Sequence, residues 1–270
     1  MLTGIHHYVQ AVQDLEKTVD DWCRLLDIPR PEIKPDPRGH RYAIIHLGDS
    51  PVYLCQSPTP DGPFAKFVAQ RGEGMYSVAL EESDMKGAVA RLKGKGVQTI
   101  PTTEPSGVTL HLIPPKATNG FMWELCPKHD IGKPPSGGFV KRVQFVCHAV
   151  KDLEPTLATY ADLLGLKPDS KGIAPGPGPG IRSAWLPIGQ DSIGILSPVA
   201  PEGPIVRFLD RTGGGLYNLM MKVNDMKGTV EKLNAKGVRT IPGGPRAVWL
   251  HPAGTHGVLI EMQDAAEAGH

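Results

Sequence analysis

Two acidic residues stand inside apolar, strand-like runs of the sequence, Glu124 in GFMWELC and Glu261 in GVLIEM. An ionised carboxylate inside a protein costs several kcal/mol unless a cation, a hydrogen-bond donor or a metal offsets its charge. An arginine partner would satisfy either acid, and so would a place in a reaction that moves a proton. We therefore predict that Glu124 and Glu261 are catalytic residues.

Three histidines also lie in strand-like runs, His7 in IHHYVQAV, His46 in AIIHLG and His111 in TLHLI. Imidazole nitrogens bind metals and exchange protons near neutral pH. A single histidine on a strand is more often a hydrogen-bonded structural residue, and His6 beside His7 shows that histidine occurs here without an evident task. The residue types alone leave both interpretations open.

The sequence lacks the motifs of several common enzyme classes, since it contains no G-x-S-x-G elbow, no H-E-x-x-H and no P-loop. The glycine-rich stretch GIAPGPGPGIR (172–182) does not replace them. Its prolines lack the N–H groups that a phosphate cradle needs, and no helix start follows it. We expect a mobile or polyproline-like loop that acts as a lid in the second half of the chain.

An internal repeat reveals the elements that must position these residues. Residues 73–101 match residues 214–242 at about half of their positions, including DMKG and the closing KGV-TIP. AVQDLEKT (11–18) returns as AVKDLEPT (149–156), and GPFAKF returns as GPIVRF. Three ordered matches at a nearly constant offset indicate a tandem duplication.

The duplication predicts two domains and a linker rich in proline and glycine. The boundaries are an N-terminal domain at 1–128, a linker at 129–139, a C-terminal domain at 140–265 and a tail at 266–270. Each half divides again into two segments with the order strand, helix and three strands. The first helix is DLEKTVDDWCRLLDI, with Asp14 as its N-cap. The pattern predicts an α+β protein of four βαβββ modules.

Charge and cysteine content narrow the class of protein. The net charge is +1 and the four cysteines form no CxxC pair. The charge balance disfavours nucleic acid or an anionic membrane as a partner, and no run is long and apolar enough to span a bilayer. We expect a cytoplasmic protein with reduced cysteines, a small-molecule substrate, and a monomeric or homodimeric state.

Four segments carry a resemblance to the vicinal oxygen chelate superfamily, which includes glyoxalase, bleomycin resistance proteins and dioxygenases. The segments are HYVQAVQDLEKT (7–18), SPTPDGPFAKFVAQRGEGM (57–75), PPKATNGFMWEL (114–125) and LHPAGTHGVLIEM (250–262). Within the superfamily the chain is most similar to the methylmalonyl-CoA epimerase-like members. The resemblance implies that the four modules form two open antiparallel half-barrel cups, as in glyoxalase.

The resemblance also implies a divalent metal held by the first and fourth strands of two paired modules. In the first half these positions imply His7 and Glu124 as ligands. Leu54 stands at the fourth-strand position of module one, where Gln56 would share its strand face and serve as the third ligand. Ser77 stands where module two would offer histidine. Nitrogen with carboxylate oxygen suits Fe, Mn, Co, Ni or Zn.

The corresponding positions of the second half are Phe145, Gly194, Asn218 and Glu261, so only the acid remains there. If modules pair in chain order, we expect the second cup to be metal-free and structural.

The sequence leaves the pairing of modules open. Module one paired with module four would turn His7 and Gln56 toward Asn218 and Glu261 instead of Glu124. We favour pairing in chain order, because each half alone resembles a complete epimerase-like unit.

The resemblance implies a metal-dependent isomerase or lyase that acts through an enolate-type intermediate. The substrate would be a small oxygenated carbonyl compound, either a 2-oxo acid or an acyl thioester. We predict Ser77, Asn218, His46 and His111 as substrate-binding residues of the cups.

Two other functions stay open. An extradiol-type or related dioxygenase would need two histidines and a carboxylate in the C-terminal half, where Phe145 and Asn218 stand in place of the histidines. A metal-free protein that binds or sequesters a small molecule would use Ser77, Asn218 and Phe145 as parts of an apolar pocket with a few polar groups.

Overall fold

The computed structural model describes residues 1–132, 137–243 and 246–265. The predicted tail at 266–270 and part of the predicted linker, residues 133–136, lie outside the described residues. Within the described ranges, no helix has both the length and the apolar character needed to cross a membrane.

The first half contains two successive βαβββ modules joined by a short helix. Module one consists of β1 (Leu2–Ala11), α1 (Leu15–Leu26), β2 (Lys34–Asp36), β3 (His40–Leu47) and β4 (Ser50–Gln56). Helix α2 (Pro63–Arg71) leads to module two, which consists of β5 (Gly74–Glu82), α3 (Met85–Gly94), β6 (Ile100–Thr103), β7 (Thr109–Ile113) and β8 (Met122–Cys126).

The second half repeats the same order. Module three consists of β9 (Val140–Ala149), α4 (Leu153–Leu164), β10 (Ala174–Pro175), β11 (Ile181–Ile188) and β12 (Asp191–Pro198). Helix α5 (Pro204–Thr212) leads to module four, which consists of β13 (Gly215–Val223), α6 (Met226–Ala235), β14 (Thr240–Pro242), β15 (Ala247–Leu250) and β16 (Leu259–Asp264).

Each half contributes one eight-stranded sheet. The strand orders are β2-β3-β4-β1-β5-β8-β7-β6 and β10-β11-β12-β9-β13-β16-β15-β14. The predicted α+β fold of four βαβββ modules in two sheets is confirmed. The sheets are mixed rather than wholly antiparallel, because β1 pairs with β4 and β5 with β8 in parallel. The helix after the first strand of a module returns the chain to the starting end of the sheet, so that a later strand runs alongside the first.

Helix α1 determines which face of β1 meets the helix. The Asp14 side chain caps the helix by accepting from the Lys17 N–H, as predicted. Trp22, on the buried side of α1, donates its indole N–H to the side-chain oxygen of Gln10 at 3.2 Å. Because side chains alternate along a strand, His7 and Val9 point to the face opposite Gln10. We call this opposite side of module one the His7 face.

Contacts between Cα atoms divide the chain into two compact units. One contains residues 1–6, 77–130 and 145–217, and the other contains the remaining residues. Each unit therefore contains one module from each half, although the hydrogen-bonded sheets follow the halves. The domain boundaries drawn from the sequence stay a prediction.

The glycine-rich stretch at 172–182 contains part of a hairpin where a mobile or polyproline-like loop was expected, and its role as a lid stays a prediction. Ala174 and Pro175 pair with Ser183 and Arg182, and Gly176 N–H donates to the Ile181 carbonyl at 2.8 Å. The short pairing was hidden in the sequence because glycine and proline dominate the segment.

Candidate functional site

His7 lies on β1 with an aromatic neighbour on β4. The parallel pairing of the two strands places Val9 opposite Tyr53 and Gln10 opposite Leu54. The rings of His7 and Tyr53 are 5.0 Å apart between centroids, and His7 is only 1% exposed. Tyr53 is therefore the β4 side chain on the His7 face.

The register differs by one residue from the position predicted for the fourth-strand ligand. Leu54 lies opposite Gln10, on the side covered by α1. Gln56 shares that side by strand alternation, and its amide nitrogen donates to the Gln13 carbonyl at 2.6 Å. This geometry argues against Gln56 as a ligand together with His7.

Ser77 and Glu124 are brought together on neighbouring strands of module two. Glu124 on β8 lies opposite Ala79 on β5, so it shares a face with Ser77. The Ser77 hydroxyl donates to Oε1 of Glu124, and both side chains are buried. A residue that is a poor metal ligand therefore has a different use here, because it orients the buried acid.

The second predicted acid, Glu261 on β16, has a more open setting. Gln263 donates its side-chain amide to Oε1 of Glu261 at 2.6 Å. Burial raises the pKa of Glu261, while the Gln263 hydrogen bond and the charge of Lys222 oppose the shift. Asn218 is buried on β13 and lies on the same sheet face, because Met220 is the residue directly opposite Glu261.

His46 and His111, which were both predicted to bind substrate, differ in whether they share a sheet face with a predicted ligand. His46 on β3 is half-buried and follows Ile44 by two residues, and Ile44 lies opposite Tyr53. His46 therefore points to the His7 face, and burial lowers its pKa. His111 on β7 lies opposite Leu125, which places it on the face away from Glu124. Its Nδ1 is 3.0 Å from the Thr99 hydroxyl.

In module three, a phenylalanine and a glycine occupy the positions that correspond to His7 and Tyr53. Cys147 lies opposite Gly194, as Val9 lies opposite Tyr53, so Gly194 is the counterpart of Tyr53 and not of Leu54, which corrects the position expected from the sequence. A Cβ on Gly194 would come within 2.8 Å of the Trp185 ring. Phe145, the counterpart of His7, packs edge-on against the same indole at 4.7 Å. Neither position carries a metal ligand, and the metal-free second cup stays a prediction.

Sequence reasoning missed a group of side chains near the end of module two. Ligand atoms of His6, Cys126 and His129 all lie within 4.8 Å of one another. His129 also pairs through Nε2 with Oε2 of Glu104 at 2.8 Å. The one available signal was the CPKH run, in which a histidine follows a cysteine by three residues.

Comparisons with known proteins agree with the duplicated fold. A family profile described as the Glyoxalase/Bleomycin resistance protein/Dioxygenase superfamily matches residues 6–111 and 144–256. Mitochondrial methylmalonyl-CoA epimerase of Mus musculus is 28% identical over 132 residues, which are 46% of this chain and 73% of the epimerase.

Two solved structures resemble the whole chain. A triple mutant of 4-hydroxymandelate synthase from Streptomyces coelicolor has a TM-score of 0.75 at 15% identity, with coverage of 100% of this chain and 95% of that chain. A fusion of a xylose isomerase-like TIM barrel with a 4-hydroxyphenylpyruvate dioxygenase has a TM-score of 0.69 at 14% identity, with coverage of 100% of this chain and 50% of the fusion. At these identities the two matches show the fold alone.

The sequence and structural comparisons lead to the same assignment. The profile matches once in each half, where the structure has two successive βαβββ modules and one eight-stranded sheet. The named sequence relative is an epimerase, which supports an enzyme. The chain therefore belongs to the glyoxalase/bleomycin resistance protein/dioxygenase superfamily.

Proposed function

We propose that the chain is a metal-dependent isomerase or lyase of this superfamily, acting on a small 2-oxo acid or acyl thioester. The observation that carries the proposal is the buried Glu124 carboxylate held by the Ser77 hydroxyl. A buried acid whose orientation is fixed by a neighbour is suited to act as a general base that removes a proton from one particular substrate carbon. The similarity of the chain to methylmalonyl-CoA epimerase supports a proton transfer next to a carbonyl group.

The residue types at two of the four family positions in the first half suit a divalent metal. His7 offers imidazole nitrogen and Glu124 offers carboxylate oxygen, a combination that suits Fe, Mn, Co, Ni or Zn. The other two positions carry different side chains. Tyr53 is the β4 residue beside His7, where Gln56 was predicted, and Ser77 donates its hydroxyl to Glu124. When bound, the metal would polarise the substrate carbonyl and stabilise the negative charge of an enolate.

The side chains of the protein would carry out the proton transfer. A carboxylate oxygen takes the proton from the carbon next to the substrate carbonyl, and the electron pair of the C–H bond moves into the enolate. In an isomerase the same or another carboxyl group returns a proton to that carbon; in a lyase a leaving group departs instead. Ser77 holds Glu124 in one orientation during this step, and His46 is proposed to contact the substrate. Asn218 shares its sheet face with Glu261 and would contact the substrate if Glu261 is the working acid.

The test is hydrogen exchange at the substrate carbon, followed by NMR in D₂O with a 2-methyl acyl thioester and with a 2-oxo acid. We expect exchange in the metal-loaded protein. In Glu124→Gln the exchange rate should fall by about 100- to 10,000-fold, the range for the loss of a general acid or base. Glu261→Gln is the parallel variant. If it alone abolishes exchange, the working acid lies in module four and the chain-order arrangement is wrong.

Metal content provides the second arm of the test. Elemental analysis of purified protein should find a divalent metal whose amount falls in His7→Ala. A metal-free protein that binds these compounds without exchanging their hydrogens would overturn the enzyme and favour a binding protein.

The dioxygenase alternative has less support from the site. In the C-terminal half, Phe145 packs against Trp185 and Asn218 replaces the other histidine that a two-histidine iron site needs. Oxygen uptake with a 2-oxo acid and Fe²⁺ would show that this alternative is correct.

A further inference from the structure

The side chains of His6, Cys126 and His129 form a compact group with three different donor atoms. His6 lies on β1, Cys126 is the last residue of β8, and His129 follows in the connecting segment. Among the residues that the structure describes, these three are the ones whose potential metal-binding atoms all lie within 4.8 Å of one another. We propose that it is a zinc site, separate from the donors His7 and Glu124.

The distances are those of a site that needs little rearrangement. Cys126 Sγ lies 3.9 Å from Nδ1 of His129. A zinc ion about 2.3 Å from sulfur and about 2.1 Å from nitrogen, at a tetrahedral angle, separates these two atoms by about 3.6 Å. The rings of His6 and His129 stack at 4.3 Å between centroids, so both imidazoles are already close to the thiol.

Glu104 provides the outer partner that a metal-binding histidine normally has. Its Oε2 lies 2.8 Å from Nε2 of His129, and the carboxylate is buried. With Nε2–H donating to this carboxylate, Nδ1 is the nitrogen that faces Cys126 and would bind the metal. A carboxylate that orients a ligating imidazole in this way raises its basicity and fixes the ring.

Charge around the thiol also favours a cation. Cys126 is fully buried, and the buried Glu104 carboxylate lies next to His129, with 2.8 Å between Oε2 and Nε2. Zinc binding displaces the thiol proton to solvent, and the thiolate and Glu104 together balance the two positive charges of the ion. Sulfur with imidazole nitrogen selects zinc or copper(I) over magnesium or calcium.

Binding would replace several local hydrogen bonds, among them Cys126 Sγ–H donating to the Pro127 carbonyl at 3.2 Å and the His129 backbone N–H donating to Nε2 of His6 at 3.3 Å. Nδ1 of His129 lies 2.9 Å from the Pro127 carbonyl oxygen, and Nε2 of His6 lies 3.0 Å from the His129 carbonyl oxygen. Three zinc–ligand bonds exceed these hydrogen bonds in strength. The site would fasten the segment after β8 to the start of β1, with its fourth position taken by water.

Cobalt(II) is the probe, because thiolate coordination gives it a near-ultraviolet charge-transfer absorption that oxygen and nitrogen ligands do not give. We expect this absorption to develop when the chelator-treated wild-type chain is titrated with Co²⁺, and to disappear when Zn²⁺ is added. It should be absent in Cys126→Ser and retained in Cys55→Ala, a matched variant of another buried cysteine.

Further variants separate this site from the one proposed for catalysis. His7→Ala should lower catalytic metal content but retain the thiolate absorption. Glu104→Gln should retain the absorption with an affinity about 10- to 100-fold weaker.

A measurement on the wild-type chain covers the case in which Cys126→Ser does not fold. X-ray absorption at the zinc edge should show one sulfur neighbour at about 2.3 Å and two imidazole nitrogens at about 2.0 Å. Cobalt bound without a thiolate band, or zinc surrounded by nitrogen and oxygen alone, would overturn the proposal even if the catalytic metal is present.

Discussion

The ring of Tyr53 lies 5.0 Å from the ring of His7, on the face of module one that α1 does not cover. A one-residue change of register along β4 would exchange Tyr53 for Leu54 on that face. The identity of the neighbour of His7 therefore depends on strand pairing, and this neighbour decides how many ligand atoms a metal would find.

Replacing Tyr53 by glutamate should add a carboxylate beside His7. We expect Tyr53→Glu to bind Co²⁺ or Mn²⁺ about tenfold more tightly than the wild-type chain, which corresponds to about 1.4 kcal/mol. Gln56→Ala is the control, because Gln56 lies on the α1 side and donates to the Gln13 carbonyl. Isothermal titration with both variants gives the comparison. Weaker metal binding in Gln56→Ala would show that Gln56 contributes to the metal site and contradict its placement on the α1 side.

The sequence predicted the modules because each repeated element has its own signal. The apolar spacing of Leu15, Val19 and Trp22 and the cap at Asp14 specified α1 in advance. Strand β2, only three residues long at Lys34–Asp36, was expected from the module order but could not be located, because it has no apolar alternation. The parallel pairing within each module was also missed, since it depends on where the helix returns the chain.

The site was less predictable, because it depends on which residues meet. Periodicity cannot distinguish Leu54 from Tyr53 without the register of β4 against β1. The contact of His6 with His129 joins residues far apart in sequence, and nothing local indicates it. The hydrogen bond between Ser77 and Glu124 could have been expected, because both positions were already assigned to neighbouring inner strands.

Removing the Ser77 hydroxyl should affect stability and activity together. Ser77→Ala leaves the buried Glu124 carboxylate without this donor, which should cost about 1–3 kcal/mol of the free energy of unfolding. Hydrogen exchange of the substrate should also slow, because the acid is less well oriented.

Thr3→Val is the matched control for this experiment. It removes a hydroxyl that donates to Oε1 of Glu81 at 2.6 Å, but at an exposed position. Its unfolding free energy should change by less than about 1 kcal/mol. Equal losses in both variants, measured by chemical denaturation, would mean that the burial of Glu124 has no special cost.

The raised pKa of Glu261 predicts a dependence of stability on pH. The folded state holds this proton to a higher pH than the unfolded state does, so the unfolded state binds fewer protons above about pH 4.3. The free energy of unfolding should therefore fall as pH rises from there to the raised pKa of the folded state.

Glu261→Gln should remove that fall, since the amide does not titrate. Glu231→Gln on an exposed position of α6 is the control and should keep the wild-type slope. Denaturant melts at several pH values between 4 and 7 measure the effect. If Glu261→Gln keeps the wild-type pH profile, burial does not perturb this acid.

The contact of Trp185 with Gly194 predicts how module three responds to substitution. Gly194→Ala would place a Cβ 2.8 Å from the indole, which is too close for any ordinary contact. The Trp185 ring is also held by Phe145 at 4.7 Å, so it cannot move aside without loss of packing. We expect Gly194→Ala to cost about 1–3 kcal/mol through overpacking.

Gly94→Ala at the end of α3 is the matched control, because a Cβ there meets nothing within 4 Å. It should stabilise the chain by about 0.5–1 kcal/mol, as alanine does in a helix. The combination Gly194→Tyr with Trp185→Ile transfers the Tyr53 and Ile44 pair of module one to module three. This double variant should recover much of the stability that Gly194→Ala loses. A Gly194→Ala variant as stable as the wild type would show that the indole yields, and that this position can accept the side chain of a ligand.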